Sequence, residues 1–159
     1  MATTDIFNYV QVNDQLSTAG QPTEDQLRDA AAEGFTTIIN LAPVNPPYTP
    51  ADEAGLAREL GLTYIYIPVA WNHPTDADFA AFAQAMDETA GGKMLIHCAA
   101  NFRVTAFYSL YAQKHLSWSA AEADAFRARI WAGSDYPVWE AFVARKRAEM
   151  EQDNGRSGS

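Results

Sequence analysis

The feature that most constrains this chain is an alternation. Three short apolar runs, TTIINLA (36–42), TYIYIPV (63–69) and MLIHC (94–98), are separated by segments patterned for helices. Runs of this length, rich in β-branched and aromatic residues and bounded by Gly34, Gly61 and Gly91-Gly92, read as buried strands. Between them TEDQLRDAAAEG predicts a helix, with Thr23 as N-cap, Glu24 and Asp25 in the first turn and Gly34 behind the last. TPADEAGLARELG predicts a second, capped by Thr49 with Pro50 at the first helical position. PTDADFAAFAQAMDETAGG predicts a third, capped by Thr75, with Phe79, Phe82, Ala83 and Met86 on one face. The stretch FNYVQVNDQLSTAGQP supplies one or two short edge strands. Alternation of this kind implies an α/β fold, a central mostly parallel sheet of about four to five strands flanked by helices on both faces.

From Phe102 onward no strong strand pattern recurs, and the C-terminal half reads as helices near 102–115, 119–132 and 137–150. A chain of 159 residues, 48% hydrophobic and 12% aromatic, suits a single domain over 1–151. QDNGRSGS (152–159) reads as a disordered polar tail or an expression remnant. A net charge of −9 argues against nucleic acid and anionic membranes as partners, since both require basic surface. No apolar run approaches the roughly 20 residues of a membrane span. The opening MATTDIFNYV has neither a basic nor an apolar leader pattern, so a cytoplasmic location is expected.

The single cysteine stands in an unusual place. Cys98 closes an apolar strand, and NFRVTAFYSLYAQKH begins a helix just behind it. In open α/β sheets ligands gather outside the carboxyl ends of the strands, where helix N-termini present unpaired N–H groups to anions. The positive end of a helix favours the thiolate, the nucleophilic form of a cysteine. Arg103, on the helix's first turn, offers a planar fork suited to two oxygens of a phosphate. Taken alone, Cys98 reads as a small buried hydrophobe; with His97 before it, Arg103 after it and the strand-to-helix turn around it, the nucleophilic reading prevails.

These residues carry a resemblance. IHCAANFRVTAF resembles the signature loop of cysteine-dependent protein tyrosine phosphatases. AGQPTEDQL, GFTTIINLA and LGLTYIYIPV resemble the bacterial branch related to the β-lactamase-hydrolase-like phosphatases, over about residues 5 to 145. The resemblance implies a phosphatase of the tyrosine or dual-specificity type. Cys98 would attack phosphorus to form a phosphocysteine, which water then hydrolyses. Arg103 and the loop N–H groups of Ala99, Ala100, Asn101, Phe102 and Arg103 would hold the phosphoryl oxygens. His97 would orient the loop, Thr105 would donate its hydroxyl to the Cys98 sulfur, and Gln21, in AGQP, would position the attacking water. Trp71, with Tyr48 and Phe102, would wall the cleft.

Two departures from the family pattern bear on mechanism. Most of the superfamily has five residues between Cys and Arg, whereas only Ala99, Ala100, Asn101 and Phe102 stand here. The loop also lacks the usual glycines, so Asn101 is expected to supply its left-handed position. Secondly, the family's general acid is an aspartate on a separate loop, and the matching VAWNHPTDAD has no carboxylate in its first part. Asp76 and Asp78 follow at a helix N-terminus, where acids also serve as caps; His73 is a further candidate. With no acid, aryl phosphates would be preferred, because a phenolate leaves more readily than an alkoxide.

Cys98 has no cysteine partner and His73, His97 and His115 are scattered, so no metal site and no cofactor are expected. The expected partner is a phosphorylated substrate, a phosphotyrosine protein or a small phosphomonoester. Two alternatives remain open: a catalytically weak phosphate-binding module, and a rhodanese-like sulfurtransferase, which also uses one cysteine in an anion-binding loop.

Overall fold

A computed structural model describes residues 2–131 and 135–157. Five strands, β1 (Val10–Asn13), β2 (Leu16–Ala19), β3 (Thr37–Asn40), β4 (Thr63–Tyr66) and β5 (Met94–His97), form one sheet in the order β1-β2-β5-β3-β4. Only the β1/β2 pair is antiparallel; β5 runs parallel to β2 on one side and to β3 on the other. The mostly parallel α/β architecture expected from the alternation is present. One detail differs, because β2 is no edge strand. It lies between β1 and β5 with all four residues buried, so that LSTA is covered on both faces despite its polar composition.

Helices α1 (Glu24–Ala32), α2 (Glu53–Glu59), α3 (Asp76–Glu88), α4 (Phe102–His115), α5 (Ala120–Ala128) and α6 (Pro137–Ser157) complete the fold. Successive strand residues face opposite sides. Ile38 and Leu95 therefore pack with Leu27, Ala30, Ala57 and Leu62 on the α1/α2 side. Ile39, Met94 and Ile96 pack with Phe82, Phe107, Trp139 and Phe142 on the other. Helix α4 is buried without a break from Val104 to Ala112, as befits a helix enclosed by α3, α5, α6 and the sheet.

The caps show where local sequence sufficed. Thr23 and Thr75 both close capping boxes, with Gln26 and Asp78 as reciprocal partners. Gly34 and Gly61 follow their helices at φ +93° and +77°. The second helix starts later than expected. Asp52, not Thr49, accepts the capping N–H from Gly55, because Pro46, Pro47 and Pro50 keep the preceding chain extended or turned. Helix α5 ends at Ala128, and Trp131 turns into the core; the expected end at residue 132 lies outside the described residues. Helix α6 continues to Ser157, through most of the segment expected to be a tail, since no proline interrupts it; residues 158 and 159 lie outside the described residues. Among the described residues no helix is long and apolar enough to cross a membrane.

Strand β5 carries the site and is fully enclosed, so its packing should control global stability. Replacing Leu95, which is inaccessible to solvent, by Ala is expected to cost about 2–5 kcal/mol in chemical denaturation. A cost under about 1 kcal/mol would contradict this account of the core.

Candidate active site

The site is built at the carboxyl end of β5. Cys98 is completely buried, and its N–H donates 3.3 Å to Ala19 O on β2. The chain then turns through Ala99, Ala100 and Asn101 into α4. Asn101 stands at φ +70°, ψ +8°, the left-handed position the glycine-free loop required. Its side chain is inaccessible, and Nδ2 donates to Asn8 O (2.8 Å) and Thr18 Oγ1 (3.0 Å). Asn8 reciprocates through Nδ2 to Ala100 O at 2.9 Å. On the other side Gln21 N donates 3.0 Å to Ala99 O. A chain that short of glycine is therefore held in its turn by side-chain amides.

The result is a cradle. Among the described residues the N–H groups of Ala99, Ala100, Phe102 and Arg103 donate to no backbone carbonyl, leaving them free for an anion. Ala100 faces Gly20 across an isolated antiparallel bridge, which ties the loop to the turn after β2. Arg103 is half-buried. Its Nε donates 2.8 Å to Val69 O, and its guanidinium lies 5.2 Å from the centre of the Trp71 ring. Burial pushes the pKa of Arg103 down while the neighbouring Cys98 acts in the opposite direction. No hydrogen bond of ordinary geometry joins the guanidinium to the sulfur among the described residues.

Arg103 and Ala99 line two clefts. One, of about 440 Å³, is walled by Gln21, Ala42, Pro43, Val44, Asn45, Tyr48 and Thr49. The other, of about 260 Å³, is walled by Trp71, Ala100 and Phe102. Trp71 packs on Phe102, Trp131, Tyr136 and Trp139, so it forms a fixed wall. Trp131 and Trp139 themselves are core residues. Tyr48 is strongly exposed at the lip of the larger cleft, on the proline-rich loop.

Several expected roles move. Asp76 is exposed and bound to Arg145 at 3.0 Å and Lys146 at 3.4 Å. The Arg145 hydrogen bond holds its carboxyl below the usual range, which leaves it ionised and unable to donate a proton near neutrality. Asp78 accepts from Thr75 N at 3.1 Å in the capping box. His73 lines a separate pocket with Pro74, Val138 and Arg145. None of the three lines the clefts at Arg103. Thr105 donates to Asn101 O (2.8 Å) and accepts from Trp131 Nε1 (2.9 Å), so its hydroxyl braces the first turn of α4 rather than the sulfur. Among the described residues no cluster of His, Cys, Asp or Glu could hold a metal ion.

The residue that sequence reasoning missed is Glu53. It is 3% exposed, and its Oε2 accepts from His97 Nε2 at 2.7 Å, with His97 fully buried. Its Oε1 accepts from Gln21 Nε2 at 2.7 Å. Burial alone would raise the pKa of this carboxyl; the His97 charge and hydrogen bonds from His97, Gln21 and Tyr64 outweigh it and hold the group below its ordinary value. Burial first, then Glu53, push the Tyr64 hydroxyl well up in turn. The only sequence signal was an acid four residues before the buried Ala57, on the apolar face of its helix. Asn8 gave no signal at all.

With this geometry established, the relatives fall into place. Residues 8–115 match the model of the β-lactamase hydrolase-like protein, phosphatase-like domain. The chain belongs to that family. A β-lactamase hydrolase-like protein of Xylella fastidiosa is 37% identical over 105 residues, covering 64% of this chain and 24% of that protein, so the match spans about a quarter of the relative's length. A protein of Shewanella putrefaciens CN-32, provisionally named a phosphatase, shares the fold at a TM-score of 0.84 and 32% identity, over 92% of both chains. P. aeruginosa TpbA, solved in complex with pTyr, superposes at a TM-score of 0.70 and 15% identity over 95% and 93% of the two chains, which speaks to the fold alone. The chain thus shares its architecture with both solved structures.

Two substitutions test the site's construction. A Cβ on Gly20 would stand 2.8 Å from Ala99 O and 2.9 Å from Phe7 O, both backbone atoms. Gly20→Ala must therefore displace the Cys98 loop, and is expected to cost about 1–3 kcal/mol of stability together with most of the activity; an unperturbed variant would contradict the close approach. For Glu53, a carboxylate depressed below 4.5 in the folded state contributes stability that is fully present above the unfolded pKa and is lost as pH falls through the folded one. The stability difference between wild type and Glu53→Gln should be constant above about pH 5 and shrink on acidification below that. A pH-independent difference in denaturant titrations would overturn the assignment.

Proposed function

We propose that this chain is a phosphomonoester hydrolase acting through a phosphocysteine intermediate on Cys98, with aryl phosphates preferred. The observation that carries the reading is the single arrangement at the end of β5, a buried cysteine beneath four unpaired N–H groups and beside the Arg103 fork. In-line attack by the Cys98 thiolate breaks the phosphorus–oxygen bond, and the leaving oxygen takes the electron pair. The free N–H groups and Arg103 hold the equatorial oxygens as charge redistributes. Water then attacks phosphorus and returns the thiolate. Among the described residues, no carboxylate lines the two clefts, which supports a preference for leaving groups that need no proton. A phenolate, with a conjugate acid near 10, is such a group.

A second reading has its own support. Sulfur transfer from thiosulfate needs no acid, because sulfite leaves as a stable anion while the sulfane sulfur passes to Cys98 as a persulfide. The lack of a carboxylate lining either cleft, among the described residues, is compatible with this step as well.

One set of assays separates these. We expect metal-free hydrolysis of para-nitrophenyl phosphate that falls at least about 10³-fold in Cys98→Ser and about 10²-fold or more in Arg103→Lys. Asp76→Asn and Asp78→Asn should stay within about twofold of wild type, with the basic limb of the pH profile intact. Equal rates on phosphotyrosine and phosphoserine peptides would end the aryl preference. Cys98-dependent sulfur transfer from thiosulfate to cyanide, without phosphate release from any aryl ester, would select the second reading; binding of an oxyanion with neither turnover would leave a binding module.

A further inference from the structure

The larger cleft contains one polar group whose orientation is dictated from behind. Gln21 lines that cleft beside Ala99 and Arg103. Both hydrogens of its Nε2 are committed, one to Pro22 O at 2.9 Å and one to Glu53 Oε1 at 2.7 Å. A carboxylate and a carbonyl are acceptors only, so the carboxamide has to present nitrogen to them both. Its Oε1 is thereby turned away, and it is a buried acceptor with no partner. Buried polar atoms are rarely left so, and a donor bound at the cleft, such as a water hydrogen, would satisfy it.

The same Glu53 carboxylate works in the other direction. Through Oε2 it takes the Nε2 hydrogen of His97, the residue before the nucleophile, while His97 Nδ1 faces Cys98 O at 3.3 Å. One carboxylate on the first turn of α2 thus reaches the backbone of β5 under Cys98 and the amide of the β2–α1 turn beside Arg103. The two acceptor oxygens meet donors that approach from different elements, His97 on β5 and Gln21 after β2, with Tyr64 on β4 as a third. A neutral carboxamide cannot replace it, because one of its ends is itself a donor.

We infer that Glu53 is a positioning residue, which by accepting from both His97 and Gln21 holds the nucleophile's strand and the Gln21 acceptor in one geometry, so that Gln21 Oε1 takes a hydrogen of the water that attacks the loaded cysteine. The inference rests on Cys98 being loaded and then hydrolysed, as proposed above. Glu53 touches no reacting atom. Its removal should slow the second half-reaction, which needs the water aligned, more than the first. A displacement on the order of 1 Å in such an arrangement can cost about 10²-fold.

The experiment uses the full chain as wild type, Glu53→Gln, Glu53→Asp, Gln21→Ala and Glu53→Gln/Gln21→Ala. Stopped-flow release of para-nitrophenol from para-nitrophenyl phosphate is expected to show that Glu53→Gln keeps a first-turnover burst and a kcat/KM within about twofold of wild type, while its steady-state kcat falls at least about tenfold and KM falls with it. The double variant should be no slower than the slower single variant, because the two residues act as one unit. Glu53→Asp, which keeps two acceptor oxygens, should recover part of the loss. Wild-type kcat in Glu53→Gln, loss of the burst in proportion to kcat, or additive single effects would each overturn the inference. An arm independent of turnover guards against failure of the functional reading itself. The side-chain amide protons of Gln21 in ¹⁵N-edited NMR should be slowly exchanging in wild type and shifted or lost in Glu53→Gln, and an unchanged signal would overturn the inference even if no phosphate ester were hydrolysed. Absence of turnover in wild type with the expected NMR change would remove the phosphatase reading and the water role with it, and leave only the Glu53 contacts.

Discussion

Strand β5 is the constraint on which the rest depends. It is paired on both edges and buried on both faces, so neither its register nor its direction can change without disturbing two neighbours and both halves of the core. That rigidity delivers Cys98 at one point in space. The helix behind it, α4, is equally confined, because it is enclosed over nine consecutive residues. A short loop between two such immobile elements has little freedom, and its free N–H groups become a fixed cradle at small entropic cost. The Asn8–Asn101 exchange of amide hydrogen bonds completes this, doing with side chains what a glycine-rich loop does with backbone freedom.

Electrostatics at the site runs against the protein's overall balance. A chain with a net charge of −9 places one arginine at the meeting point of its two clefts. Half-buried and stacked against Trp71, Arg103 is partly stripped of water, which strengthens its attraction for an anion that replaces that water. Behind the cradle the compensation has the opposite sign: Glu53 is buried, and stays ionised because His97 and Gln21 satisfy both oxygens. The charges nearest Cys98 are therefore paired or hydrogen-bonded by the fold, and the acidic surface acts only through solvent.

The four-residue loop separates this chain from the commoner phosphatase pattern and leaves two chemistries worth comparing. Both need a cysteine nucleophile in an anion cradle; they differ in the size of the transferred group and in whether the leaving group needs a proton. The structure places Asp76, Asp78 and His73 in ion-pairing, capping and a separate pocket. Those positions look catalytic in a linear sequence because the loop that bears them precedes α3, and the N-terminus of any helix attracts acids for reasons of its own.

Much of the fold was legible in sequence because it rests on local rules. Strand periods, the Thr23 and Thr75 caps, Gly34 and Gly61 beyond their helices, and the left-handed Asn101 all follow from interactions within a few residues. The placement of Cys98 just past a strand end and of Arg103 on the first turn of the next helix was legible too. The β2 position in the sheet, the later start of α2 at Asp52 and the rebinding of Thr105 were not. Each depends on a partner tens of residues away. Glu53 makes the contrast plainest: the sequence by itself determined that an acid sits on the first turn of a helix, where it reads as an ordinary first-turn acid. Only the tertiary structure decided that this turn faces inward, against His97 and Gln21, because burial depends on which elements pack together and no short-range pattern encodes that.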